Sequence, residues 1–165
     1  MTVRIIATGG TFDKQYSPVD GSLGFTESLV PKLLEQGRVR SPFVFEELFL
    51  LDSLDMTDSD RERVLNACIA APEDRIIIVH GTDTMQETAL VLAAAGLDRT
   101  IVLTGAMIPC LVANSDAFFN LGYALAITGV LAPGVYIAMN GQTFKWDNVR
   151  KNREEGIFEA AGQQS

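Results

Sequence analysis

The sequence is poor in the residues that metal, redox and nucleic-acid sites usually require. Its 165 residues include a single histidine, His80, and two cysteines, Cys68 and Cys110, which lie far apart. Two cysteines are too few for a disulfide framework, and neither has the spacing of a zinc site or a redox pair. Lysine and arginine number 13 against 21 acidic residues, for a net charge of -8 and a pI near 4.6. A phosphate-rich partner needs clustered basic side chains, so this balance argues against nucleic acid. No apolar stretch reaches the roughly 20 residues that span a bilayer, so no membrane partner is expected. Met1-Thr2-Val3-Arg4 leads directly into a strand-like run, without the ordered basic, apolar and cleavage regions of a signal peptide; the cytoplasm is the expected compartment. Also missing are G-x-G-x-x-G and the phosphate loop G-x-x-x-x-G-K-[ST].

What is present is the composition of an ordinary globular domain, with 47% hydrophobic and 21% charged residues. Four continuous, β-branched runs, Val3 to Ala7, Ile76 to Val79, Ile101 to Leu103 and Val135 to Met139, read as strands buried on both faces of a parallel sheet. Phe43 to Leu51, interrupted by Glu46 and Glu47, reads as a strand nearer an edge. Helical patterns alternate with these runs. One spans Thr26 or Glu27 to Gln36, with Gly37 as C-cap, and another spans Thr57 to Ala70, with a capping threonine and an acidic first turn. Two more run from Thr84 to Ala95 and from Asn114 to Thr128. Alternating strands and helices predict βαβ units and a three-layer α/β sandwich around a mostly parallel, Rossmann- or flavodoxin-like sheet. The expected organisation is one domain over 1–158, followed by a flexible tail at 159–165.

In open α/β sheets ligands sit beyond the carboxyl ends of the strands, which directs attention to three loops. The first reads Ala7-Thr8-Gly9-Gly10-Thr11, where paired glycines allow a sharp turn and close backbone approach. Taken alone it is more often a tight turn than a site. The second, His80-Gly81-Thr82-Asp83-Thr84-Met85, mixes glycine, hydroxyls and a carboxylate more densely than a connector needs, although helix capping would use the same residues. With no second histidine or nearby cysteine, His80 reads as structural rather than as a base or ligand. The third, Thr104-Gly105-Ala106-Met107-Ile108-Pro109, again sets glycine beside a hydroxyl. Three successive strand tips thus place glycine and threonine where a small polar ligand would bind.

The T-G-G-T of the first loop, H-G-T-D-T-M followed by Glu87-Thr88, and G-A-M before a proline closely resemble the bacterial-type L-asparaginase/glutaminase family. Asp52-Ser53-Leu54-Asp55-Met56 is similar to that family's serine-containing substrate loop. The similarity runs from about Val3 to about Lys151. It implies an amidohydrolase that converts L-asparagine to L-aspartate and ammonia, in a domain of the asparaginase amino-terminal type. Carried over residue by residue, the resemblance makes Thr11 the nucleophile, assisted by Tyr16 in a mobile loop, with Thr82, Asp83 and Lys151 as a second cluster. Ser53 would hold the substrate α-carboxylate, Asp83 its α-ammonium, and Ala106 the leaving amide through its backbone carbonyl. Oxyanion donors would be backbone N–H groups of Gly10-Thr11 and of the Gly81-Thr82 loop. An alcohol attacks only when a neighbouring group takes or stabilises its proton. Two variants stay open: attack by Thr11, or by a water activated through Thr82 and Lys151. No cofactor and no metal are implied, and a homodimer or homotetramer is expected.

The sequence departs from the family pattern in two places. It resembles a short, single-domain form without the second domain that supplies an acidic residue to a neighbouring site. Leu54 stands where many members have a polar residue near the substrate ammonium. Fewer ammonium contacts should weaken affinity and relax selectivity, and Glu154, Glu155 and Glu159 are candidate replacements. Two other readings compete with the hydrolase: an asparagine-binding sensor without turnover, and an ammonia-supplying component of an amidotransferase.

Overall fold

The computed structural model describes residues 1–162. Strand β1 (Val3–Gly9) is followed by a one-turn helix over Thr11–Asp13, a small hairpin of β2 (Gln15–Tyr16) and β3 (Leu23–Gly24), then α1 (Val30–Gln36) and β4 (Phe43–Leu51). A second one-turn helix (Ser53–Asp55) precedes α2 (Asp58–Ala70), β5 (Arg75–Val79), α3 (Met85–Ala94), β6 (Thr100–Thr104), α4 (Ala117–Thr128) and β7 (Gly134–Met139). The chain ends in β8 (Gln142–Lys145), β9 (Arg150–Asn152) and β10 (Ile157–Glu159).

The main sheet has the order β4-β1-β5-β6-β7-β8, all parallel except the β7–β8 pair. Renumbered by sequence, its parallel strands run 2-1-3-4-5, the flavodoxin order, whose direction of winding reverses between the first and third strands. Here those strands are β1 and β5, so the loops after Gly9 and Val79 open on either side of the crevice where such sheets bind ligands. The interrupted strand Phe43–Leu51 takes the edge position expected of it.

Alternate residues of β5 feed two cores. Ile76 and Ile78 pack with Val64 and Cys68 of α2 and with Met85, Ala89 and Leu92 of α3. Ile77 and Val79 pack with Leu33 and Leu34 of α1 and Leu121 and Ala124 of α4. This is the three-layer sandwich. Among the described residues no helix is long and apolar enough to cross a membrane.

Two helices begin later than their sequence pattern. The segment expected to turn helical at Thr26 or Glu27 does so at Val30. The N–H groups of Ser28 and Leu29 instead donate to the carboxylates of Glu47 and Asp13, which holds that stretch out of the helix. At its other end Gly37 is the C-cap as expected, in a right-handed conformation (φ -73°), and the left-handed residue is Arg38 (φ 50°). The last long helix starts at Ala117, because Asp116 receives the N–H groups of Met107 and Ile108 and ties the preceding loop into a turn. Thr57 caps α2 as expected, in a reciprocal capping box with Asp60. Of the tail expected at 159–165, Glu159 lies in β10 and residues 163–165 lie outside the described residues.

Candidate active site

Four glycines bring the strand-end loops into close contact. Gly9 and Gly10 have φ of 95° and 76°, in the left-handed region that glycine alone enters at little cost. A Cβ on Gly10 would stand 2.3 Å from Gly81 Cα, and one on Gly81 would stand 2.5 Å from Ser53 Oγ. One on Gly105 would meet the His80 carbonyl oxygen at 2.3 Å. The residue before Thr11 therefore abuts the residue before Thr82, with Ser53 wedged against the latter. Only hydrogen at these positions permits such spacing.

His80 sits at the base of this contact, fully buried. Its Nδ1–H donates to the Gly81 carbonyl at 2.7 Å, so Nε2 must accept the Thr88 hydroxyl at 2.8 Å. Burial pushes the imidazole down to about 4; the Gly81 carbonyl opposes this and the Arg61 charge adds to it. A neutral histidine held on both nitrogens orients the loop. It is structural, as its isolation in the sequence implied.

Thr82 is 5% exposed and is the centre of the polar cluster. Lys151 Nζ donates to Thr82 Oγ1 at 2.7 Å and to Asp83 Oδ1 at 2.9 Å. An ammonium at that distance lowers the cost of negative charge on the hydroxyl oxygen. Burial pushes the Asp83 carboxyl up, but hydrogen bonds and charge from Lys151 and Arg153 outweigh it and leave the group below its ordinary range. What carries Lys151 here is the β9–β10 ribbon, which buried Val149 and Phe158 anchor to the α2–α3 side of the core. Asn140 Oδ1 accepts the Phe158 N–H at 3.1 Å, and Gln86 binds the Val149 carbonyl.

The remaining sequence candidates fall around this cluster. Thr11 is half-buried at the start of its one-turn helix, whose Phe12 plugs the core. Ser53 is 1% exposed, with its carbonyl taking the Thr84 hydroxyl at 2.8 Å. Ala106 is buried on the third loop, and Asn120 Nδ2 donates to the neighbouring Gly105 carbonyl at 3.0 Å. The Gly10 N–H donates to the Leu51 carbonyl at 2.8 Å, so this amide is already engaged within the fold. Tyr16 is 66% exposed on the mouth hairpin, and no hydrogen bond among the described residues brings it to Thr11. Leu54 is also exposed at the mouth. Glu159 pairs with Arg150 at 2.6 Å, while Glu154 and Glu155 are exposed in the β9–β10 turn.

Three charged residues at the mouth were not anticipated from sequence. Arg153 donates to Asp83 Oδ1 at 2.6 Å, the same oxygen that Lys151 uses. Lys14 pairs with Asp52, linking the Thr11 turn to the Ser53 turn. That hydrogen bond is the main reason the Asp52 carboxyl lies below its ordinary range, and Lys151 adds to it through its charge. Arg153 carried no sequence signal, since it lies in the turn after β9 and its partner is 70 positions away. Lys14 carried none, since its partner is 38 positions away.

Residues 2–160 match the family model described as asparaginase, N-terminal. The chain belongs to the asparaginase family. It is 28% identical over 166 residues to L-asparaginase 1 of Escherichia coli (strain K12), covering 94% of this chain and 49% of that protein. It is 32% identical over 154 residues to a glutamyl-tRNA(Gln) amidotransferase component of Aeropyrum pernix, covering 86% of this chain and 35% of that protein. The thermostable L-asparaginase from Thermococcus kodakarensis superposes with a TM-score of 0.88 at 26% identity, covering 99% of this chain and 52% of that one. This asparaginase-family chain thus spans about half the length, or less, of these relatives.

Proposed function

We propose that this chain hydrolyses the side-chain amide of L-asparagine to aspartate and ammonia, with Thr11 as nucleophile. The observation that carries the reading is the Lys151 ammonium held on Thr82 Oγ1 and Asp83, on a loop in backbone contact with the residue preceding Thr11. A module that only binds needs no buried hydroxyl with a cation set against it.

In this reading Thr82 acts as an alkoxide whose negative charge the Lys151 ammonium offsets. It takes the Thr11 proton as the Thr11 oxygen attacks the amide carbon, and returns that proton to the amide nitrogen as ammonia leaves. The tetrahedral oxyanion takes N–H donors from Thr11 and the Gly81–Thr82 loop, water then releases aspartate, and no cofactor takes part. Ser53 holds the α-carboxylate, the Ala106 carbonyl holds the leaving amide, and Asp83 offers its second oxygen to the α-ammonium. Tyr16 acts once the hairpin folds over the mouth. The working assembly in this reading is a symmetric homodimer or homotetramer.

The test is ammonia release from L-asparagine, L-glutamine and D-asparagine by the wild type, Thr11→Ala, Thr82→Ala and Lys151→Met. Each substitution is expected to lower kcat by about 10²-fold or more. Turnover unaffected by both threonine substitutions rejects the mechanism. The similarity to an amidotransferase component favours one second reading, an ammonia supplier within a larger assembly; weak activity alone that rises with a copurifying partner would select it.

A further inference from the structure

A carboxylate beside the nucleophile turn has no part in the chemistry above. Asp13 ends the one-turn helix that Thr11 begins, and its side chain is fully buried. Its Oδ1 accepts the Leu29 N–H at 2.8 Å and the Ser28 hydroxyl at 3.1 Å. Its Oδ2 is buried with no hydrogen-bond partner among the described residues. A second carboxylate grips the same dipeptide, because Glu47 Oε2 of β4 accepts the Ser28 N–H at 2.7 Å. Between these contacts the chain runs out as the β2–β3 hairpin bearing Tyr16 and returns, so Asp13 closes that excursion at its base.

Buried carboxylate oxygens are in the large majority hydrogen-bonded. Here one oxygen is orphaned, and two like charges converge on Ser28–Leu29. A single proton removes the buried charge and its repulsion from Glu47, and this outweighs the weakening of the Leu29 and Ser28 hydrogen bonds to a neutral acceptor.

We propose that Asp13 is a positioning residue that clamps the base of the mouth loop, residues 14–27, to the Thr11 turn, and that this clamp is tightened by protonation. Burial pushes the carboxyl up most, the Leu29 and Ser28 donors pull it part-way back, and the Glu47 charge adds to the rise, leaving it at about 6. The titratable groups facing it are Glu47 from β4 and Cys110 from the loop after β6. The Cys110 thiol is itself raised, by burial and by the Asp13 charge, with Lys32 of α1 acting the other way. Below about pH 6 the clamp is closed; above it, two charges face each other and the loop base loosens. The clamp rests on these contacts alone, and only its effect on turnover rests on Thr11 being the nucleophile.

The experiment follows hydrogen exchange at the Leu29 amide and across 14–27, corrected for intrinsic rate, together with kcat and KM for L-asparagine from pH 5 to 8.5. Wild type, Asp13→Asn and Asp13→Ala are compared. In the wild type, Leu29 protection is expected to fall about tenfold as the carboxyl ionises, following the factor of ten per unit beyond its midpoint. Asp13→Asn keeps the acceptor without the charge, so its protection stays high and flat, and its kcat stays within about threefold and loses the inflection near pH 6. Asp13→Ala loses protection at every pH and lowers kcat by about 10- to 100-fold, the range that misplaced reacting groups cost. Should the alanine variant not fold, the asparagine variant decides alone. Leu29 protection in Asp13→Asn that falls with pH as in the wild type overturns the proposal, as does wild-type protection in Asp13→Ala. If no form releases ammonia while Leu29 behaves as stated, the reading of Thr11 fails and the clamp stands.

Discussion

Gly10 shows how one missing carbon organises the site. Its φ of 76° is strained for any L side chain, and the space a methyl would fill is already taken by Gly81 Cα at 2.3 Å. Gly10→Ala must push the first loop away from the second, separating Thr11 from Thr82. The expected cost is about 2–4 kcal/mol of stability, from overpacking plus an incompatible backbone. Activity should fall further than stability, because ammonia release at a temperature where the variant is fully folded reads the displaced hydroxyls directly. A folded variant with wild-type kcat would show that the loops tolerate separation. Neither glycine announced this contact in the chain, since each is equally at home in a plain tight turn. It takes Gly10 and Gly81 together to give the reason.

The β9–β10 ribbon carries Lys151, yet none of its three-residue strands stands out in the sequence as an element. Its order comes from anchoring: Phe158 is fully buried against the α2–α3 core, and the ribbon's register sets Lys151 opposite Phe158. Phe158→Ala is expected to cost about 3–5 kcal/mol, as emptying a buried phenyl site usually does. Lys151 would then lose its hold on Thr82, so kcat should drop toward that of Lys151→Met while KM changes little. Steady-state kinetics on both variants checks this, and equal kcat in Phe158→Ala and wild type would mean that the ribbon holds without its anchor. One signal for the neighbouring hairpin was available. Asn140-Gly141, with φ of 56° and 72°, is the dipeptide that two-residue β-turns prefer, and it joins β7 to β8.

Across the protein, two buried groups titrate in opposite senses over one pH interval. His80 is pushed down to about 4, so the unfolded chain binds its proton first, and stability is lost as pH falls from about 6.5 toward 4. Asp13 is pushed up to about 6, so its contribution is full below about 3.8 and is lost as pH rises through 6. The two slopes oppose each other. Asp52 and Asp83, both held below their ordinary range, add acid lability only below about pH 4. The wild-type denaturant midpoint should therefore change little between pH 5 and 7, whereas Asp13→Asn should lose stability on acidification over that interval by roughly 1–2 kcal/mol more. Urea unfolding at the two pH values measures this. A parallel dependence in the two proteins would mean that Asp13 is not the opposing group.

The layer architecture was legible in the chain because it depends on local patterning. β-branched runs such as Ile76 to Val79 form strands buried on both faces, and Thr57 with Asp60 starts a helix, whatever surrounds them. The glycine and threonine clusters at strand ends likewise marked loops that the fold packs against one another. What the chain could not state was which distant groups meet. Lys151 reaches Thr82 across 69 positions, Lys14 reaches Asp52 across 38, and Asp13 reaches Leu29 across 16, each by the path of the fold between them. Helix starts shifted for the same reason, as carboxylates remote in sequence claimed the Ser28 and Leu29 amides. Local propensity depends on a few neighbouring residues, whereas a hydrogen bond between distant side chains exists only after packing has placed both ends.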